Sequence, residues 1–261
     1  MELQGRVALA TGAGSGIGAA SALRLARAGA RVGALGHTED ELRATVERIR
    51  ADGGEAMPLP ADVASAEETS RALDRLAEAY GRLDIVLANA GINGTWAPID
   101  ELAPEEWDRT IAVNLRGTFL TLRYAVPWLK RAGGVGSVVI VASINGTRTF
   151  TGAGATAYAC SKAAQLALGQ MAAVELGRHG IRVNVVCPGA IETEIADNTE
   201  KRDAEAAEVP AEYPAGEIPL TGRRPGRAED VAELVLFLAS DRSRHVSGSP
   251  VWIDGAQSLL M

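Results

Sequence analysis

Short β-branched or aliphatic runs alternate along this chain with longer stretches of helical periodicity. Seven runs read as strands, at residues 7–10, 31–35, 55–60, 85–88, 137–142, 181–186 and 250–253. Helical spacing fills the intervals, at 19–28, 39–51, 66–80, 104–131, 157–178 and 228–240. The strands are apolar on both faces and do not alternate, the pattern of a parallel sheet covered by helices on either side. This rhythm predicts one doubly wound α/β domain over residues 1–261, with a seven-stranded, mostly parallel sheet.

One segment breaks the rhythm. Residues 192–222 are rich in Glu, Ala and Pro, and Pro210, Pro214 and Pro219 interrupt any long helix. The stretch that follows is too short for a second domain. The segment is therefore expected to be mobile and to cover a substrate site within the single domain.

Composition narrows the functional classes. Lys and Arg number 26 against 33 Asp and Glu, a net charge of −7, which disfavours attraction to nucleic acid or to an anionic membrane surface. Aromatic side chains make up only 4% of the chain, too few for a base-stacking surface. Cys160 and Cys187 stand apart from any C-x-x-C pair, and His37, His179 and His245 have no metal-ligand spacing, so no metal site is expected. The N-terminus lacks a signal-peptide layout and no apolar run approaches the ~18 residues of a membrane span. These features lead us to expect a cytoplasmic protein without a membrane partner.

Glycine is the outlier, at 29 residues where an average chain of this length carries about 18. Part of the surplus lies in Thr11-Gly12-Ala13-Gly14-Ser15-Gly16-Ile17-Gly18, between the first strand and the first helix. In that context glycines let the chain turn tightly and let a pyrophosphate approach the backbone. The helix start then offers free N–H groups to the anion. A Rossmann dinucleotide site is the expectation. The second strand ends in Gly36-His37-Thr38, and no carboxylate appears until Glu39 and Asp40 open the next helix. A carboxylate there would repel a 2′-phosphate, whereas Gly36 leaves room and His37 or Thr38 can donate hydrogen bonds. The balance favours NADP(H) over NAD(H), although no Arg or Lys stands at the strand end.

Tyr158-Ala159-Cys160-Ser161-Lys162 sets a phenol and an ammonium at i and i+4 on one helical face. A nearby cation favours phenolate, so the pair makes sense as an acid/base unit. Ser143 follows the apolar strand 137–142, which places its hydroxyl at the carboxyl edge of the sheet, where ligands bind in this architecture.

Together these motifs resemble the short-chain dehydrogenase/reductase family, 3-oxoacyl-(acyl-carrier-protein) reductases among them, nearly end to end. The turn from Thr11 to Gly18 is similar to the family's cofactor motif. Asp62-Val63 matches the acidic pair that borders the adenine, and Asn89-Ala90-Gly91 the motif that steadies the sheet beside the cofactor. Asn114, Ser143, Tyr158 and Lys162 fall in order on the catalytic tetrad. Pro188-Gly189, Ile191 and Thr193 match the segment that lines the nicotinamide. The resemblance implies cofactor contacts from Gly12, Ser15, Gly16, Ile17, Gly18, His37, Asp62, Val63, Asn89, Ala90, Gly91, Tyr158, Lys162, Pro188, Ile191 and Thr193.

The implied mechanism has Ser143 and Tyr158 hydrogen-bonding a carbonyl oxygen, with Tyr158 as acid or base. Lys162 would hold the nicotinamide ribose and lower the Tyr158 pKa. Asn114 would position a water that relays protons through Lys162. The implied assembly is a homotetramer or homodimer. The implied function is NAD(P)-dependent interconversion of a ketone and a secondary alcohol, with either a 3-oxoacyl thioester or a sugar, polyol or cyclic alcohol as substrate. A non-catalytic NADP(H)-binding sensor is the remaining alternative. One departure concerns the substrate side: Ser143 and Tyr158 are separated by a loop, 144–157, about two residues longer than the family's usual length. Arg148 lies within it.

Overall fold

The computed structural model describes residues 1–133, 136–150, 152–208 and 218–260. The chain runs β1 (Val7–Thr11), α1 (Gly16–Arg27), β2 (Arg31–Gly36), α2 (Glu39–Ala51), β3 (Glu55–Pro60), α3 (Ala66–Tyr80), β4 (Ile85–Ala88) and β5 (Gly94–Trp96). It continues through α4 (Pro104–Ile111), a π-turn (Ala112–Arg116), α5 (Gly117–Arg131), β6 (Ser137–Val141), α6 (Thr156–Gly177), β7 (Arg182–Pro188) and β8 (Ile191–Glu192). It closes with β9 (Thr199–Lys201), β10 (Gly226–Arg227), α7 (Ala228–Ala239) and β11 (Pro250–Ile253).

All seven expected strands form one sheet, in the order β11-β7-β6-β4-β1-β2-β3. Every pairing in it is parallel, so the sheet is wholly and not mostly parallel. The order reverses at β1, which makes the carboxyl edge between β1 and β4 a switch point where ligands bind. Val7, Ala8, Leu9 and Ala10 of β1 are fully buried. One core layer lies beneath α1, α2 and α7, with Leu25, Leu42 and Val235 at its centre. The other lies beneath α3, α5 and α6, around Leu73, Leu129 and Leu176.

Three departures from the sequence reading bear on the site. The first helix begins at Gly16, three residues earlier than its apolar pattern, because the turn itself supplies the opening residues. The helical stretch expected over 104–131 is continuous but widens through a π-turn, and Asn114 sits inside that turn. Two small parallel sheets, β5 with β9 and β8 with β10, had no sequence signal, since strands of two or three residues are too short to show a period.

Residues 192–208 are tied down at several points. Asn93 Nδ2 donates to Thr199 Oγ1 at 2.7 Å. Arg202 grips both carboxylate oxygens of Glu106 at 2.8 Å, which holds that carboxyl well below its usual range, at about 2. Residues 209–217 of the segment expected to be mobile, with Pro210 and Pro214, lie outside the described residues, as does Thr151 of the 144–157 loop. No helix among the described residues is long and apolar enough to cross a membrane.

Candidate functional site

The turn after β1 is shaped by what it lacks. Gly12 and Gly16 have positive φ, +64° and +50°, in the left-handed region where a side chain is strained. A Cβ at Gly12 would stand 2.8 Å from Asn89 Nδ2 and 2.9 Å from Ala90 Cα, and one at Gly18 would overlap the Gly12 carbonyl oxygen. Thr11 locks this turn to the end of β4: its hydroxyl oxygen accepts from Asn89 N at 2.9 Å and Ala90 N at 3.1 Å. Asn89 Nδ2 in turn donates to the Thr11 carbonyl at 3.1 Å.

Three hollows open over this turn, two of which share Ala90 and Gly91. The smaller of these two, about 150 Å³, is lined by Gly12, Ser15, Gly16, Ile17, Asn89, Ala90, Gly91 and Thr193 among others. The larger, about 480 Å³, is lined by Gly36, His37, Thr38, Asp62 and Val63, and also by Arg109 and Val113. A cradle that any Cβ would fill, at the start of a helix, fits the pyrophosphate of a nicotinamide dinucleotide. Gly18, Pro188 and Ile191 do not line these hollows. Gly18 lies under the turn, Pro188 ends β7 and holds Ile144 N through its carbonyl at 2.9 Å, and Ile191 pairs with Gly226.

The end of β2 carries no carboxylate, but the larger hollow contains one from α2 as well as Asp62. Glu41 joins its lining, with Oε2 2.6 Å from where a Gly14 Cβ would stand. Side chains in a first helical turn lean back toward the helix start, so a residue five positions beyond Gly36 returns to the turn. Strand-end inspection could not detect it.

The four catalytic candidates meet at the carboxyl edge of β4 and β6. The Ser143 hydroxyl is hydrogen-bonded to the Tyr158 phenol and also accepts from Asn145 N at 3.1 Å. Lys162 is buried, donates from Nζ to the Val141 carbonyl at 3.0 Å, and lies 5.5 Å from the Tyr158 ring centroid. Gly91 connects this group to the dinucleotide cradle: its absent Cβ would be 3.2 Å from Asn114 Oδ1 and 3.5 Å from Lys162 Nζ.

Asn114 is fully buried. Its amide donates to Ile92 O at 2.9 Å and Ser161 Oγ at 3.0 Å, while Oδ1 accepts from Ile92 N at 2.8 Å. Its main-chain carbonyl, released by the π-turn, accepts from Gln165 Nε2 at 2.9 Å and Thr118 Oγ1 at 2.7 Å. Oδ1, beside Gly91, is the atom that keeps a lone pair for a further partner among the described residues.

Burial dominates the electrostatics of this group. Burial pushes the Tyr158 phenol above its ordinary value, and the Ser143 hydrogen bond offsets only part of that rise. The Lys162 ammonium donates to the Val141 carbonyl and is itself pulled down to about 8 by burial.

Gln165 and the ties that hold the 144–157 loop were not among the expected site residues. Trp252 Nε1 donates to Thr147 Oγ1 at 3.2 Å, and Thr147 Oγ1 donates to the Ser143 carbonyl at 2.5 Å. Arg148 stacks 3.6 Å over the Trp252 ring and donates to Ser258 Oγ at 3.4 Å. Gln165 sat in an apolar helical run where its polarity was the only hint.

The family model described as Enoyl-(Acyl carrier protein) reductase matches residues 12–256. The chain belongs to the short-chain dehydrogenase/reductase family. Its fold superposes on a crystal structure described as a 3-ketoacyl-ACP reductase from Sinorhizobium meliloti 1021 with a TM-score of 0.94. The two are 60% identical over 98% of this chain and 100% of that one. A short chain dehydrogenase from Burkholderia cenocepacia J2315 in complex with NADP is 36% identical over 98% and 99% of the two chains, with a TM-score of 0.86. Levodione reductase from Leifsonia aquatica is 37% identical over 97% of this chain and 94% of its own. This member of the family is an NAD(P)-dependent oxidoreductase that interconverts ketones and secondary alcohols.

Proposed function

We propose that this oxidoreductase reduces a 3-oxoacyl thioester to the 3-hydroxy compound, with Tyr158 as the acid. The observation that carries the mechanism is the hydrogen-bonded Ser143–Tyr158 pair beside Lys162 and Asn114, joined to the dinucleotide cradle through Gly91. The substrate class rests on the description of the Sinorhizobium meliloti relative. Similarity to levodione reductase supports a second reading, in which a small cyclic ketone is the substrate.

A bound nicotinamide dinucleotide supplies a hydride in reduction and accepts one in oxidation. The residues that would hold it are those of the cradle, together with Lys162 at the ribose and Pro188, Ile191 and Thr193 at the nicotinamide. Ser143 Oγ and Tyr158 Oη donate hydrogen bonds to the substrate carbonyl oxygen, which makes its carbon electrophilic. As that carbon gains the hydride, Tyr158 passes its phenol proton to the oxygen. The raised phenol suits this direction, since it stays protonated at neutral pH. Oδ1 is the Asn114 atom we assign to a proton relay toward Lys162.

We also assign the protein to the cytoplasm as a homodimer or homotetramer. Phe119 on α5, with Met171 and Val174 on α6, exposes apolar surface that such an assembly would cover. The sequence at the β2 end favours NADP(H), while Glu41 in the hollow argues for NAD(H).

Tyr158→Phe tests the reading. It should lower kcat for 3-oxoacyl thioester reduction by about 10³-fold and leave the cofactor Kd, read by nicotinamide fluorescence, within about twofold. Retained turnover in the variant would remove Tyr158 from the acid's role. A wild-type protein that bound cofactor but reduced no ketone would favour the sensor reading.

A further inference from the structure

We propose that Glu41 selects the cofactor: its carboxylate accepts the ribose 2′- and 3′-hydroxyls of NAD(H) and repels the 2′-phosphate of NADP(H). The inference rests on the reading of the hollow as a dinucleotide site and reverses the preference suggested by the end of β2.

The geometry is set by α2. Glu41 and Thr45 are four residues apart on one helical face, and that face lies on the phosphate turn: Thr45 Oγ1 donates to the Gly14 carbonyl at 3.3 Å. Gly14 has no side chain, which lets Glu41 settle directly upon it. A Cβ there would come within 2.9 Å of Glu41 Cβ as well as 2.6 Å of its Oε2. Glu39, two residues earlier, is held by Arg43, but Glu41 has no ion-pair or hydrogen-bond partner among the described residues. Its carboxylate is thus left to face the hollow with His37, Thr38 and Asp62.

An ionised carboxylate only accepts hydrogen bonds, and its two oxygens match the two O–H donors of a vicinal diol. A 2′-phosphate brings nearly two negative charges and no donor to spare at neutral pH. It would meet Glu41 and Asp62 in the hollow, with Glu39 and Asp40 also in the first turn of α2. Glu39, Asp40 and Glu41 in the first turn of α2 oppose the partial positive charge that a helix start would otherwise offer a phosphate. Arg109, from α4, is the one Arg or Lys among the hollow's lining residues, whereas Arg48 of α2 lines the neighbouring hollow over Gly14, Ser15 and Gly16.

The test is equilibrium binding of NADH and NADPH, followed by nicotinamide fluorescence at low salt, with the wild-type, Glu41→Gln and Glu41→Arg proteins. The wild type should bind NADH at least about tenfold more tightly than NADPH. Glu41→Gln should bring the two dissociation constants within about threefold, and Glu41→Arg should invert their order. Glu41 is exposed, and thermal melting of each variant checks that the fold is kept. A wild type that binds NADPH as tightly as NADH or more so, or a ratio unmoved by either substitution, would overturn the role of Glu41 alone. Binding of neither cofactor by the wild type would overturn the reading of the hollow itself.

Discussion

The cofactor side and the substrate side of this molecule are built by opposite means. The cradle over α1 is specified by missing side chains: Gly12 and Gly16 take backbone angles that a Cβ would strain, and Gly18 leaves room for the Gly12 carbonyl. The substrate side is specified by side chains that reach far along the chain. Trp252 holds Thr147 across 105 positions, Arg148 reaches Ser258 across 110, and Arg202 reaches Glu106 across 96. One side should therefore break when atoms are added, and the other when atoms are taken away.

The largest effect is expected from adding one carbon to the cradle. Gly18→Ala places a methyl against the Gly12 carbonyl oxygen, and backbone cannot yield as a flexible side chain can. Overpacking of this kind costs about 1–3 kcal/mol, and here the relief must come from shifting α1 away from the turn. Dinucleotide affinity should fall by at least about 100-fold, with a lower Tm. Gly177→Ala, at the end of α6 with nothing within 4 Å of its would-be Cβ, should leave both unchanged or raise the Tm slightly. Equal behaviour of the two variants would refute the idea that the cradle depends on absent atoms.

The same contrast explains what could be read from sequence. Seven strands and their helices are legible because each is long enough to carry a period, and the cradle because glycine spacing records backbone angles locally. Asn114 was legible from its place in the tetrad, though its bonds to Ile92, Ser161 and Gln165 were not. Strands β5, β8, β9 and β10 are short and owe their existence to partners distant in sequence. Glu41 is not legible at the strand end, because it lies on the helix that folds back over the turn. Lys162 illustrates a further limit: spacing sets it one turn from Tyr158, but only the packed structure shows that burial, not pairing, dominates both pKa values.

That burial yields a pH test of intermediate size. Lys162 is 3% exposed and titrates at about 8 when folded, against an ordinary value of 10.5. Between those two values the unfolded chain binds the proton that the folded chain has released, so stability should rise with pH across the window. Below pH 8 both states are charged and the folded one bears the full cost of the buried ammonium, on the order of 3 kcal/mol. Lys162→Met removes that cost, although it leaves the Val141 carbonyl without its donor. Urea midpoints at pH 7 and pH 10 should show a smaller rise for the variant than for the wild type. Cys187 opposes the trend in both proteins, since burial raises its thiol to about 11, so the difference between the two proteins is the quantity to measure. The variant should also lose reduction activity. A wild-type rise no larger than the variant's would mean that the catalytic side carries no such cost.

The smallest effect belongs to the far end of the loop tie. Trp252→Phe keeps an aromatic face beneath Arg148 but removes the Nε1–H that bonds Thr147. A single hydrogen bond of this kind contributes about 0.5–1.5 kcal/mol. Thr147 can still donate to the Ser143 carbonyl, so Ser143 is loosened but not released. The expected outcome is a two- to fivefold fall in kcat with the cofactor Kd unchanged, because no part of the cradle touches this tie. Thr147→Val, which removes the bonds to Ser143, Ile144 and Trp252 at once, should lower kcat further than Trp252→Phe. If cofactor affinity fell in step with kcat in these variants, the two sides would not be separable, and the division between a cradle made by absence and a loop held by contact would fail.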